Sequence, residues 1–278
     1  MNVGNNTLFG SLAEVAIQRL QEFEDTALRK HPDGYYLAYS GGKDSDVLLH
    51  LAKAAGVKFT AHHNLTTCDP PELVRHVRDM GVAIDKPDIT MWQLIRKKKM
   101  PPRRQARYCC EVLKERGGQG RIVLTGVRWG ESNRRSKRRM MEACFRTKDK
   151  HYLHPIIDWL TADVWAYIRA RDVEYCKLYD EGFKRLGCVL CPMTRDVERQ
   201  IARWPKLAKA WEKAVKATFV KGNSPGADTG AYWRWWLDRD APSPKSMPVL
   251  FEDDPGMEEA ERVSTLGRRV CVIKELTP

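Results

Sequence analysis

The segment Ser40-Gly41-Gly42-Lys43-Asp44-Ser45 constrains this chain more than any other. It follows an apolar and aromatic run, Tyr35 to Tyr39, that reads as a buried strand. It opens a stretch over 44–55 in which Val47, Leu48 and Leu51 recur on one helical face. A strand, a glycine turn and a helix in that order build an anion site. Glycines let the backbone approach a phosphate, and the first helical turn supplies unpaired N–H groups and a partial positive charge. Lys43 adds a point charge, and Ser40 and Ser45 add hydroxyls. Asp44 is unusual beside an anion; its two uses there are capping the helix or holding Mg²⁺ at the phosphates. The spacing is neither a Walker A loop nor G-x-G-x-x-G. A lone glycine turn with an N-cap serine is the plainer alternative, but the complete hexapeptide in strand–loop–helix context favours nucleotide binding.

Around this loop the chain alternates between two periodicities. Residues 8–30 read as an amphipathic helix, with Ser11 and Glu14 at capping-box spacing. Residues 57–62, 82–84 and 121–125 read as strands, and 71–80, 90–99 and 108–116 as helices. Strands alternating with helices predict an α/β fold: a doubly wound, mostly parallel sheet with flanking helices. After about residue 160 the pattern turns helical, with helices over 161–171 and 194–219 separated by a loop over 182–192. We therefore expect an N-terminal helix (1–30), a nucleotide-binding α/β domain (31–160), a helical segment carrying a Cys-x-x-Cys loop (161–220) and a Trp-containing extension (221–278). The tail from about residue 241 is expected to be partly disordered. Trp233, Trp235 and Trp236 are expected to pack the extension onto the main domain rather than stack nucleic-acid bases.

Composition narrows the function classes. With 42% hydrophobic residues in 278, the chain can build a core, which excludes wholesale disorder. No apolar run approaches the roughly 18 residues of a membrane span, and no basic start with an apolar block predicts a secretory leader. Eight cysteines are too few for a disulfide scaffold, so a reducing cytoplasm is the expected compartment. Lys and Arg number 48 against 36 Asp and Glu, a net charge of +12. That excess suits a polyanionic partner, or simply a basic, solvated surface. The run 134–139, Arg-Arg-Ser-Lys-Arg-Arg, is either such a solvated face or a track for a nucleic-acid backbone.

Cys188-x-x-Cys191, the adjacent pair Cys109-Cys110 and Cys176 give five candidates for a four-thiolate site. Four thiolates hold Zn²⁺ or a [4Fe–4S] cluster, and an adjacent Cys-Cys is awkward for a zinc finger. Cys109, Cys188 and Cys191 are the firmest ligands, while Cys110 and Cys176 compete for the last position. Cys68 is expected to be a buried structural thiol, and Cys144 and Cys271 have no partner by spacing.

The loop Ser40 to Ser45 resembles the pyrophosphatase loop of the adenine-nucleotide alpha-hydrolase superfamily, whose members split ATP between its alpha and beta phosphates. Other segments resemble the phosphoadenosine-phosphosulfate (PAPS) reductase branch. They are Thr66-Thr67-Cys68-Asp69-Pro70-Pro71-Glu72, Pro101-Pro102-Arg103 to Arg107-Tyr108-Cys109-Cys110 with Lys114, and Gly126-Val127-Arg128 with Glu131-Ser132 and Arg135. Leu178-Tyr179-Asp180-Glu181-Gly182-Phe183 and Gly187-Cys188-Val189-Leu190-Cys191-Pro192 complete the set, which spans residues 34–192. Cys-Cys with Cys-x-x-Cys resembles the cluster ligation of adenylyl-sulfate reductases.

The resemblance implies a nucleotide site of Ser40, Gly41, Gly42, Lys43, Asp44, Ser45, Gly126 and Arg128. Lys43, Asp44, Ser45, Arg107 and Arg128 would be its catalytic groups, with ATP, Mg²⁺ and a [4Fe–4S] cluster (or Zn²⁺) as cofactors. Two departures separate the chain from sulfonucleotide reductases. Those enzymes usually lack the complete loop, and they attack with a C-terminal cysteine in a Glu-Cys-Gly-x-His setting, whereas Cys271 stands in Arg-Val-Cys-Val-Ile. The resemblance therefore implies a relative that uses ATP to place sulfur into nucleic acid, as in DNA phosphorothioation or, more distantly, tRNA thiolation, fed by a sulfur donor such as a cysteine desulfurase. A sulfonucleotide reductase and a non-catalytic nucleic-acid-binding module with a structural metal are the alternatives.

Overall fold

In a computed structural model the described residues are 6–7, 10–144 and 149–241. Cys271 and the tail expected to be disordered lie outside them. Two short strands, β1 (Asn6–Thr7) and β2 (Gly10–Ser11), pair antiparallel and lead into helix α1 (Leu12–Glu22). The capping box is present: Glu14 N–H donates to Ser11 Oγ at 3.3 Å, and Ser11 N–H to the Glu14 carboxylate at 2.6 Å. The single expected helix is broken at Phe23, after which α2 (Glu24–Lys30) runs to the turn at Gly34.

The main sheet has six strands in the order β5-β4-β3-β6-β8-β7. They are β3 (Tyr35–Ala38), β4 (Phe59–Asn64), β5 (Ala83–Asp85), β6 (Ile122–Leu124), β7 (Met141–Ala143) and β8 (His151–Leu153). Strands β5, β4, β3, β6 and β8 are parallel neighbours, and β7 alone is antiparallel, on β8. The connecting helices are α3 (Lys43–Ala54), α4 (Pro71–Asp79) and α5 (Met91–Lys98). The helix expected over 108–116 is a single π-helical turn, Cys110–Lys114.

Helix α6 (Thr161–Arg171) follows β8. The helix expected over 194–219 is two, α7 (Val197–Arg203) and α8 (Pro205–Lys216), because Pro205 has no N–H for the preceding turn and starts a new helix instead. Helix α9 (Thr229–Leu237) carries the tryptophans of the extension. They pack as expected: Trp236 stacks on Trp211 at 4.9 Å, and its indole N–H donates to Pro102 O at 2.9 Å.

The apolar interior has two parts. One joins β3, β6, α1, α3 and α6 through Leu37, Leu48, Leu51, Leu124, Trp159 and Ile168. The other joins α4, α5, α8 and α9 through Leu73, Ile95, Trp211, Val215, Tyr232 and Trp236, and includes Cys68, Cys109, Cys176 and Cys188. The cysteine-bearing segments are thus packed against the second cluster, which the C-terminal helices complete.

Candidate functional site

The chain leaves β3 for β4 on one side of the sheet and later returns to β6 on the other, so the strand order reverses between β3 and β6. In open α/β sheets, ligands bind outside the carboxyl ends of the strands at such a point. The Ser40–Ser45 loop follows β3 there, and Gly126 to Arg128 follow β6. Gly41 holds a left-handed φ of +75°, and a Cβ on it would sit 2.6 Å from Leu73 Cδ1. Gly42 begins α3 with no side-chain cap; its own N–H donates to Ser40 Oγ at 3.3 Å, and those of Ser45 and Asp46 both donate to Gly42 O, at 2.8 and 3.0 Å. Tyr179 OH accepts from Lys43 N–H at 3.0 Å. Ser45 Oγ donates to Gly42 O at 2.7 Å and lies 3.1 Å from Ser40 Oγ.

Asp44 ties the two strand ends together. Its Oδ2 pairs with Lys43 Nζ at 2.9 Å and its Oδ1 with Arg128 Nε at 2.8 Å. Arg128 is buried and also donates to Trp159 O at 3.1 Å and Thr161 Oγ1 at 3.3 Å. Gly126 must be glycine for this closeness, since a Cβ would lie 2.9 Å from Asp44 O. Mg²⁺ needs several open oxygens in octahedral array. Both oxygens of Asp44 are occupied by cations, so as placed it does not fit the expected Mg²⁺ contact, nor does it cap α3. It positions Lys43 and Arg128 instead.

Behind the loop lies a buried polar group. Asp46 Oδ1 accepts from Tyr39 OH and contacts His76 Nε2 at 2.9 Å, while its Oδ2 has no partner among the described residues. Burial raises the Asp46 pKa, and the bond to His76 opposes it. Cys176 belongs here. Burial raises its thiol, with Asp46, Glu72 and Glu181 acting in the same direction. Cys176 is not among the residues that line the pocket of the other four candidate ligands, and it stands just before the Lys177–Tyr179 turn, whose Tyr179 OH accepts from Lys43 N–H.

Cys109, Cys110, Cys188 and Cys191 line one pocket with Thr66 and Lys114. Cys109 precedes the π turn and Cys110 opens it; Cys188 and Cys191 lie on the loop before α7. Arg107, expected at the triphosphate or at the acceptor phosphate, is here: its Nη2 donates to Cys110 Sγ at 3.7 Å. The hydrogen bond from Cys109, with Arg107 and Lys114, brings Cys110 down to about 6 against the opposing effect of burial. A hydrogen bond from Cys68, with Lys114, brings Cys188 down to about 7 in the same way. The Cys188 thiolate in turn is the first cause that raises Lys114.

Cys68 is a fifth thiol at this place, unread as such in the sequence. Thr66 Oγ1 lies 3.4 Å from Cys68 Sγ and 3.3 Å from Cys188 Sγ, and Val189 N–H donates to Cys68 O at 2.8 Å. The only signal for it was position, on the loop leaving the carboxyl end of β4. Among the described residues no three His, Cys, Asp or Glu stand ready to hold a metal ion. The chemistry of the donor set does fit an iron–sulfur cluster: four cysteines share one pocket, and Lys114 and Arg107 offset the negative charge that such a cluster carries.

The two places share an edge of the sheet. His63 Nδ1 contacts Tyr39 O at 3.1 Å and its Nε2 lies 3.9 Å from Asp69 Oδ2, which accepts from Thr66 N–H at 2.7 Å. The β4–α4 loop thus runs from the nucleotide loop to Cys188. Burial lowers the His63 pKa. His62 serves packing, stacked on Tyr36 at 4.6 Å and bonded to Asp85 at 3.0 Å.

Among the other candidate arginines, Arg135 pairs with Glu131 and Arg138 with Glu142. Arg134, Lys137 and Arg139 are exposed. Trp129, next to Arg128, is 42% exposed, and its indole N–H donates to Arg138 O at 2.8 Å. Among the described residues no helix is long and apolar enough to cross a membrane.

The phosphoadenosine phosphosulfate reductase domain matches residues 34–194. An uncharacterised protein of Methanocaldococcus jannaschii is 31% identical over 218 residues, covering 72% of this chain and 45% of that protein. An adenosine 5'-phosphosulfate reductase of Staphylococcus haemolyticus is 26% identical over 205 residues, 68% of this chain and 83% of that enzyme. The crystal structure of PAPS reductase from Candida auris, at 18% identity and a TM-score of 0.46, covers 68% of this chain and 97% of its own. The chain spans about half the length of the first curated relatives it matches, 45% and 51%. The match covers the nucleotide loop, the Arg128 segment and both halves of the thiol pocket, and this chain belongs to the phosphoadenosine phosphosulfate reductase domain family.

Proposed function

We propose that the chain splits ATP to AMP and pyrophosphate at the Ser40–Ser45 loop, and that the adenylated acceptor, a nucleic acid, exchanges oxygen for sulfur. The observation that carries this reading is the complete loop at the strand-order reversal, with Lys43 and Arg128 aligned by one carboxylate. An acceptor oxygen attacks the alpha phosphorus and the bond to the bridging oxygen breaks. The pyrophosphate leaves with its new charge facing Lys43, the Ser40 and Ser45 hydroxyls and the positive end of the α3 dipole. Donors fixed before the reaction stabilise such charge without reorganising. Arg128 is anchored on three oxygens and fixes Asp44, which in turn holds Lys43 at the loop.

Sulfur supplied at the sulfide level then displaces AMP, an exchange that needs no net electron. The thiol pocket on the same edge supports this assignment. A [4Fe–4S] cluster held by Cys109, Cys110, Cys188 and Cys191 would supply a site for such sulfur. Lys114 and Arg107 offset charge there, and Thr66 orients Cys188. The exposed basic residues Arg134, Lys137 and Arg139, with Trp129 beside Arg128, support a nucleic-acid acceptor: cations for phosphates and an aromatic face for a base. Anaerobically purified protein should release pyrophosphate from ATP, and Lys43→Ala and Ser45→Ala should abolish the release. Equal release by wild type and both variants would remove the loop from the reaction.

A further inference from the structure

A second pocket shares Pro192 with the thiol pocket and is lined by Arg103, Arg104 and Arg239. Arg239 follows α9 and lies outside the residues 34–194 that carry the family match, so the family segment and the C-terminal helices build this pocket jointly. Arg103 is 9% exposed, lies 4.0 Å over the ring of Trp235 and donates from Nη2 to Ala241 O at 2.7 Å. Its Nη1 is buried with no hydrogen-bond partner among the described residues. Arg239 lies 4.7 Å over the ring of Trp236 and donates from Nη1 to Trp236 O at 2.8 Å and from Nη2 to Leu190 O at 3.1 Å. Its Nε is likewise buried without a partner among the described residues. Arg104 Nε donates to Pro192 O at 3.2 Å.

Three arginines line one cavity, and among the described residues none of them forms an ion pair. Asp238 is the carboxylate at the pocket, and its Oδ1 accepts from the backbone N–H groups of Asp240 and Ala241 at 3.0 and 3.1 Å. Burial, joined by Arg104 and Arg103, brings Arg239 down to about 10 while Cys191 opposes. Buried charged donors left unpaired beside like charges are costly, and a negative oxygen relieves both costs at once. The cavity is about 10 Å³, room for one oxygen atom.

We propose that this pocket binds an oxyanion, a phosphate or sulfate group held by the guanidiniums of Arg103, Arg104 and Arg239, one oxygen of which enters the cavity. The site is independent of the nucleotide loop, and it sets the anion beside Cys191 through the shared Pro192. The anion is either a free inorganic ion or a phosphodiester of a longer chain.

Two measurements on the full chain test the site. Crystals soaked in selenate should show an anomalous peak within hydrogen-bond distance of Arg103 and Arg239. Titration calorimetry with sodium sulfate, at ionic strength matched with chloride, should show binding that Arg239→Gln weakens about tenfold or more, as loss of a charged hydrogen bond predicts. Arg104→Gln, which removes a half-buried side chain, provides a second variant whose fold is less at risk, and it should also weaken sulfate. Competition by a short single-stranded oligonucleotide assigns the site to a phosphodiester; sulfate binding without competition assigns it to the free ion. Absence of the selenate peak, or equal sulfate affinity in wild type and both variants, overturns the proposal.

Discussion

Gly126→Ala adds one carbon where the nucleotide loop has no room for it. The new methyl would lie 2.9 Å from the Asp44 carbonyl oxygen, 3.0 Å from its carbon and 3.1 Å from its Cβ. Non-bonded heavy atoms settle at about 3.5–4.0 Å, so the overlap is about half an ångström. The neighbours are mainly backbone in the first turn of α3, and no rotamer relieves them. Overpacking of this kind costs about 1–3 kcal/mol of stability. Relief requires the first turn of α3 to move away from β6, taking Lys43 and Asp44 from Arg128. A hydrogen bond from a charged group is worth about 1.5–3 kcal/mol, so loosening one between Lys43 and a phosphate predicts a loss near tenfold in nucleotide affinity.

Gly56→Ala is the control. Gly56 has φ +69° with nothing within 4 Å, just beyond the far end of α3. Alanine there costs about 1–2 kcal/mol in backbone strain and should leave nucleotide affinity unchanged. Binding of a fluorescent ATP analogue and urea unfolding, measured on both variants, separate the two effects. Wild-type affinity in Gly126→Ala would refute the reasoning, as would equal loss of affinity in the two variants.

Iron and sulfide added anaerobically should load about four iron atoms per chain. Cys188→Ser and Cys191→Ser should lower the iron content, and Cys176→Ala should retain it. His154 is buried, bonded to Thr125 Oγ1 at 2.6 Å and facing Glu142, and burial lowers its pKa. The unfolded chain therefore takes up the proton first. Stability from this group is present above about pH 6.5 and is lost as the pH falls from there towards the folded pKa. Unfolding free energy measured across that range should fall, and His154→Gln should make the fall shallower. Single-stranded oligonucleotide affinity should drop about tenfold in Trp129→Ala and recover in Trp129→Phe, as loss and return of a stacking face predict. Its salt dependence should become shallower when Arg134, Lys137 and Arg139 are replaced together, by about 0.7 in slope for each phosphate no longer neutralised.

The nucleotide loop was legible because its information is local: six consecutive residues between a strand and a helix. The alternation up to β6 was legible for the same reason, through apolar periodicity. Strands β7 and β8 were not read, since each has three residues in a segment dominated by charge, and their pairing is set by β6. The break at Pro205 had a local signal, which the long apolar stripe across 194–219 outweighed. Helix α9 was hidden because its face is defined by packing on α8. The surroundings of Arg107 and the choice between Cys110 and Cys176 both depend on how distant segments dock. Arg107 goes to Cys110, and Cys176 to Asp46 behind the loop. Cys68 meets Cys188 through Thr66, a residue 122 positions away from Cys188 in the chain. No spacing rule reaches that far.

The products formed from ATP labelled in the alpha phosphate test the central claim most directly. With anaerobic protein and a nucleic-acid acceptor, the account predicts label in AMP or on the acceptor, with unlabelled pyrophosphate released in equal amount. Label in ADP, or no turnover of ATP together with sulfite formed from a sulfonucleotide, would contradict it.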